Sequence, residues 1–453
     1  MHSESWIVVG GGFAGIVGAY LLAKQGHSVS LVEGRALGGV ASGVKWNGFA
    51  LDLGCHVFGN TSDECTDVLL QLLGNEIVPV QMKFASRMGG QTLEGMELPN
   101  LAAVADSGQM LMELCRATQE RGNPTSEESL AESLHGRYGK TIGTLLGDVF
   151  SQVFQLGAES VAPEAIHATC FSRVRIVEDA VAEVLKQSPK LDEKIAMNSQ
   201  EDPMRFHRGC SLRPYRAFYP AHGGMMGFVA SARKELLHLG VEIIEGAEVK
   251  SLHLENGVSV HLEGAQLGAE RCLWTSGLHG LEQSLCGSSL IGNYVHGVPM
   301  VLYYFDVSQS QVQDYSYVTS YDDSELVFRA SAPGNYGQGG NCPEGRSYIC
   351  CEVPTPVDSA IFTDPDAFAA QVWQEALSFG VVKGARGPHR TLKTPSSYKV
   401  PKKGFYDASA AIVSQMNKQE ALVVADEWMF TKNNIVTHLL SLLTNPVAKE
   451  ISA

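Results

Sequence analysis

The chain has 453 residues, 44% of them hydrophobic and 18% charged, with a formal net charge of −15. This is the composition of an ordinary globular protein with core enough for two or three domains, and the acidic excess argues against nucleic acid and anionic membrane surfaces as partners. No apolar run approaches the ~20 residues of a membrane span, and the ten cysteines form no CxxC pair and no zinc-like cluster, so reduced thiols and no metal are expected.

"MHSESW" leads into the first strand without a signal-peptide pattern, so a cytoplasmic location is expected. Ile7-Val8-Val9 is a β-branched run of the kind that forms a buried parallel strand. Gly10-Gly11-Gly12-Phe13-Ala14-Gly15 then matches GxGxxG through Gly10, Gly12 and Gly15. Ile16, Ala19, Tyr20 and Ala23 recur at helical spacing, and Gly26 ends that helix. Ser28 to Val32 reads as a second strand closed by Glu33, roughly 20 residues past the first glycine. The whole is a βαβ unit. Gly10 permits the tight turn, Gly12 admits a pyrophosphate to the backbone, and Gly15 lets helix and strand pack closely. The helix start supplies N–H groups and a positive dipole end to the phosphates. Glu33 accepts ribose hydroxyls and repels a 2′-phosphate, which disfavours NADP. A dinucleotide site is predicted here.

Glycine-rich short strands follow over residues 34–60, then helical periodicity from Thr61 to Leu73. Residues 81–98 read as strands and 101–200 as mostly helical. The βαβ period returns at 224–264, where a helix leads to a strand at 241–244 and a hairpin turning at Asn256-Gly257. Residues 298–353 are strand-rich, and the chain ends in a strand, "ALVVAD", and a helix, "NIVTHLLSLL". The layout is interleaved. Residues 1–75, 215–290 and 395–453 are assigned to a cofactor domain, and 76–214 with 291–394 to a substrate domain.

These segments resemble the FAD-dependent superfamily of amine oxidases, protoporphyrinogen oxidases and phytoene desaturases. The resemblance is carried by the Gly-rich loop, Glu33, Arg35, the Gly38-Gly39 pair and the stretch Asp52-x-Gly54-x-His56. "FYPAHGGMMGFVASARKELLHLGVEIIEGAEV" is similar to the superfamily's second FAD segment, and "ALVVADEW" to its C-terminal one. The implied fold is α/β: a Rossmann-like FAD-binding domain interleaved with a substrate domain of antiparallel sheet plus helices. The implied FAD contacts are Gly10, Gly12, Phe13, Ala14, Gly15, Glu33, Gly34, Arg35, Gly38, Gly39 and Val40. Gly54, Cys55 and His56 extend that set, Val249 would meet the adenine through its main chain, and Asp426 would approach the phosphates or ribityl chain. "CHVFGN" is similar to the His-x-Phe stretch of UDP-galactopyranose mutases.

The resemblance implies an FAD-dependent oxidoreductase acting on a C–N or C–C bond of a small organic substrate. The alternatives are a non-redox sugar-nucleotide mutase and a flavin-binding protein with a degenerate site. His56 would lie beside the flavin, as an acid–base group or as a structural histidine. Ala425 and "MFTKNNIVTHLL" depart from the superfamily pattern, and no lysine is assignable to a flavin-facing role. Arg205, Arg208, Arg213 and Arg216 read as a phosphate or carboxylate clamp or a solvated loop. In "ELVFRAS", strand alternation puts Val327 and Arg329 on one face. Arg329 is then a substrate contact for an anionic or polar group or a salt-bridge partner of Glu352, and Tyr304 is a strand-core residue that could face a cavity.

Overall fold

The computed structural model describes residues 3–103, 107–120, 128–168, 173–197, 213–255, 257–337, 340–416 and 418–444. Two compact units share them: Met1–Pro79, Arg213–Val295 and Phe405–Ala453 in one, Val80–Leu212 and His296–Gly404 in the other.

The first unit is built on a five-stranded sheet in the order Glu242–Glu245, Ser28–Glu33, Ser5–Val9, Arg271–Trp274, Leu422–Val424. Every neighbouring pair is parallel. Such a sheet must be covered on both faces, and the alternation within single strands shows how. Trp6, Val8, Leu31 and Leu273 point to a face packed by the helices Phe13–Lys24, Gly224–His238 and Lys432–Thr444. Ile7, Val9, Val32 and Trp274 point to the opposite face, which packs on Leu252, Val258 and Val260 of an antiparallel three-stranded meander. The hairpin expected at Asn256-Gly257 joins Val249–His253 to Val258–Leu262; Asn256 itself lies outside the described residues. The helix expected from Thr61 runs Asp63–Leu72, and the Ser62 hydroxyl caps it by accepting the Cys65 N–H.

The second unit holds a seven-stranded sheet in the order His389–Thr394, Met300–Ser308, Arg346–Pro354, Arg329–Ser331, Tyr317–Ser320, Phe84–Met88, Gln91–Glu94. It is antiparallel except between Tyr317–Ser320 and Phe84–Met88. One face, with Tyr303, Phe305, Ala330 and Cys351, packs on Trp373, Val372 and Ala376 of the helix Ala369–Phe379. Residues 395–404 belong to this unit, where the Ala162 N–H donates to the Pro401 carbonyl. Among the described residues no helix is long and apolar enough to cross a membrane.

Leu273 lies in an interior strand of the parallel sheet and is fully buried against the helix Phe13–Lys24, where a β-carbon on Gly18 would meet its side chain. Leu273→Ala should lower stability by about 2–5 kcal/mol, because a rigid sheet cannot close the cavity. Urea unfolding measures this, and a loss under about 1 kcal/mol would mean that the helix follows the strand inward.

Candidate functional site

Parallel strands place all their carboxyl ends on one edge, where open α/β sheets bind ligands. Gly10, Glu33, Gly246, Thr275 and Ala425 sit at that edge of the first unit. Four helices also begin there, each with first-turn N–H groups that need acceptors. The helix Gly224–His238 is served by Asp52, whose carboxyl accepts the Met225 N–H at 2.8 Å. The helix Gly277–Cys286 is served by Glu427, which accepts the Leu278 N–H at 3.0 Å. The helix Lys432–Thr444 is served by Thr431, whose hydroxyl accepts the Asn434 N–H at 3.2 Å. The helix Phe13–Lys24 starts at Gly12 with no side-chain cap and no acid in its first turn. Among the described residues nothing accepts the N–H groups of Ala14 and Gly15.

The surroundings of that open start form a cradle. A β-carbon on Gly15 would land on the Gly10 carbonyl, so only glycine lets helix and turn approach so closely. A β-carbon on Gly12 would meet nothing within 4 Å, so the loop faces open space. The Gly38 N–H donates to the Gly11 carbonyl at 2.8 Å, laying the second glycine pair along the first. Glu33 braces the first loop and the chain just after its own strand: its two carboxylate oxygens accept the Gly11 N–H at 2.6 Å and the Arg35 N–H at 2.8 Å. This fixes the carboxylate plane and leaves lone pairs on both oxygens for further donors. Gly34, Arg35, Gly39 and Val40 are exposed around it. Val249 opens its strand close by, after the Ala247 N–H has bonded to the Glu33 carbonyl at 3.0 Å. Open helix N–H groups, unobstructed glycines and an oriented acid fit a dinucleotide.

A second group of residues lies beyond the strand Phe49–Asp52. Asp52 is fully buried, and the Tyr219 hydroxyl donates to its second oxygen. Burial pushes this carboxyl up to about 7, against the opposing pull of the Tyr219 and Met225 bonds and the Lys432 charge. Gly224 is glycine because a β-carbon there would crowd Asp52 and the Tyr219 hydroxyl at 2.6 Å. Gly54, Cys55 and His56 follow. The His56 Nε2 is 3.1 Å from the Leu53 carbonyl, and its Nδ1 is 3.1 Å from Lys432 Nζ. Lys432 therefore stands beside the histidine of the motif, from a segment whose sequence departs from the superfamily pattern. No motif marks it. Asp52, noticed as part of a motif, acquires its role only through Tyr219 and Met225.

Asp426 follows the last strand of the sheet. Its carboxylate accepts the Trp428 N–H at 2.8 Å, and its own N–H donates to His438 Nε2 at 3.0 Å. His438 is held below its ordinary value by burial, and the Asp426 charge opposes this.

The second unit alters the reading of Arg329. Its guanidinium makes two parallel bonds to Glu352, at 2.8 and 2.7 Å, across paired strands. The regular strand spans only Arg329–Ser331, so the expected alternation from Glu325 fails. Val327 instead joins Ala330 in the apolar core, on the face away from Arg329. The fork offered to a substrate is thus already bound, and burial needs no ligand to explain it. Tyr304 is fully buried, its ring 6.1 Å from that of Tyr348. Of the four arginines near 205–216, Arg205 and Arg208 lie outside the described residues. Arg213 bonds Asp63 and Asp67, each at 2.5 Å.

Residues 8–72 match the family of NAD(P)-binding Rossmann-like domains. An uncharacterized protein in the nifH2 3′ region of Methanothermococcus thermolithotrophicus is 35% identical over 69 residues, which are 15% of this chain and 65% of that relative. Over nearly the whole chain the fold is similar to that of solved structures. The structure of reduced UDP-galactopyranose mutase superposes with a TM-score of 0.69 at 13% identity, covering 98% of this chain and 96% of that one. Putrescine oxidase bound to putrescine gives 0.61 at 14% identity, covering 97% of each chain. The fold is therefore α/β with a Rossmann-like domain, and it is similar to that of both structures.

Two outcomes follow from this geometry. Asp52 keeps its proton in the folded unit up to about pH 7, whereas an unfolded aspartate releases it near pH 4. Its contribution to stability is full below about pH 4 and is lost as the pH rises to about 7. The stability gap between wild type and Asp52→Asn should change across that window in urea titrations; a gap constant from pH 4.5 to 8 would assign Asp52 an ordinary carboxyl. Arg329→Lys keeps the charge but loses the planar fork, so the protein should lose about 1–3 kcal/mol of stability. Differential scanning calorimetry reads this, and an unchanged transition would mean that the Glu352 bonds contribute nothing.

Proposed function

We propose that the chain is an FAD-dependent oxidoreductase that takes hydride from a C–N or C–C bond of a small, polar organic substrate. The observation that carries the reading is the one helix start, of four at the sheet's carboxyl edge, whose Ala14 and Gly15 N–H groups are left to an outside acceptor. The FAD pyrophosphate lies there, against Gly10, Gly12 and Phe13, and Glu33 accepts the adenosine ribose hydroxyls. Gly34, Arg35, Gly38, Gly39 and Val40 border the adenosine and pyrophosphate, Val249 meets the adenine, and Asp426 faces the middle of the cofactor. Gly54, Cys55 and His56 border the flavin. A nicotinamide dinucleotide would use the first glycine loop but has no use for the second, which supports FAD. When bound, FAD supplies the electron-accepting ring; the chain supplies position and electrostatics.

The fold likeness extends to both putrescine oxidase and UDP-galactopyranose mutase, so it does not choose between oxidation and the alternative. The His56-Val57-Phe58 stretch favours a second reading, a non-redox sugar-nucleotide mutase of the galactopyranose-mutase type. Anaerobic mixing with a substrate panel, followed through the flavin spectrum, separates them. Bleaching supports oxidation, turnover only after pre-reduction supports the mutase, and neither supports a degenerate site.

Purified protein should be yellow and release FAD on denaturation; a colourless preparation that added FAD cannot reconstitute would sink the proposal. Glu33→Ala should weaken FAD binding by roughly tens-fold or more, since each of the two charge-assisted bonds is worth ~1.5–3 kcal/mol. Fluorescence titration of the FAD-free protein measures it, and equal affinity would remove Glu33 from the ribose.

A further inference from the structure

We propose that Lys432 is a positioning residue of the flavin site, which locks His56 into one tautomer and holds a positive charge beside it. The inference rests on the flavin reading only for its consequence at the cofactor. Both His56 nitrogens are committed within the chain. The Leu53 carbonyl only accepts, so Nε2, at 3.1 Å, carries the proton. The Lys432 ammonium only donates, so Nδ1, at 3.1 Å, presents its lone pair. The imidazole is a neutral Nε2–H ring with no nitrogen left over for a substrate proton. Acid–base work by His56, the role its motif suggests, would first have to break one of these bonds.

The lysine is itself positioned. It opens the helix Lys432–Thr444, where the dipole disfavours a cation. The Phe58 ring, 5.5 Å from Nζ, offsets this. The next residue, Asn433, is buried and donates to the Gly59 carbonyl at 2.7 Å and the Thr61 hydroxyl at 2.9 Å, which pins the helix start onto the stretch after His56. Among the described residues the lysine meets the titratable His56 and feels the charge state of Asp52, and Tyr219 acts through Asp52.

Nitrogen-15 NMR of histidine-labelled protein tests this without any cofactor, with the His56 signals assigned by their loss in His56→Gln. Wild type should show a protonated Nε2 and a bare Nδ1. Lys432→Met should raise the Nδ1–H tautomer at least several-fold, while Lys432→Arg, which still donates, should keep the wild-type pattern. Circular dichroism and thermal melting establish that each variant is folded. An unchanged tautomer in folded Lys432→Met, or a protonated Nδ1 in wild type, overturns the proposal. In FAD-loaded protein, removal of the charge should make the flavin harder to reduce. A roughly tenfold shift in that equilibrium corresponds to about 30 mV for two electrons. An unchanged midpoint potential with a scrambled tautomer would make the pair purely structural and overturn its role at the flavin. Failure to bind FAD at all would instead refute the flavin reading, with the tautomer result standing on its own.

Discussion

A parallel sheet has only one carboxyl edge, and everything functional in the first unit depends on that constraint. Because the five strands agree in direction, helices that run back against them all start at the carboxyl edge. The positive ends of those helices, with their unpaired N–H groups, gather in one place. Such a concentration of donors is unfavourable until acceptors arrive. The chain supplies Asp52, Glu427 and Thr431 for three helices. Among the described residues the helix Phe13–Lys24 gets none, and this difference, more than the glycine motif itself, marks the place for an anion.

Charge at this edge is graded. Glu33 is oriented by two backbone donors and lies partly open. Asp52 is sealed, and burial outweighs its hydrogen bonds, so it holds a proton where an exposed acid would not. Lys432 stands near both the sealed acid and an imidazole. The protonation of Asp52 therefore decides how much opposite charge the lysine sees. A buried carboxyl that titrates near neutrality thus feels the charge of Lys432, and neither group is fully exposed to bulk solvent.

The legible part of the fold was the part written in short range. The first βαβ unit shows its period, its stop at Gly26 and its terminal acid within about thirty residues of sequence, and each lies where the pattern put it. The strand reading of 325–331 failed because alternation was the only signal. At Val327 the backbone N–H bonds to the Glu375 carboxylate at 2.8 Å rather than to a neighbouring strand, and the period slips. Arg329 illustrates a different limit. Its bond to Glu352 was conceivable from sequence, but only the strand register, which pairs residues 329 and 352, chooses it over a ligand.

The Lys432 and His56 pairing was not legible at all, and the reason is physical. The two residues are 376 positions apart, and neither has a local pattern that implies the other. Their meeting depends on the last helix packing beside the first, through Val436 and Leu439 in a core shared with Ile16 and Tyr20, and on Asn433 registering that helix against Gly59 and Thr61. Packing fixes the helix axis to within a ridge or so, but a hydrogen-bonded buried amide fixes its rotation and height. Asn433 is thus what turns a generic helix contact into a specific placement of the residue before it. In "MFTKNNIVTHLL" the unusual residues relocate a charge: the lysine beside His56 comes from the last helix, carried in by the amide next to it.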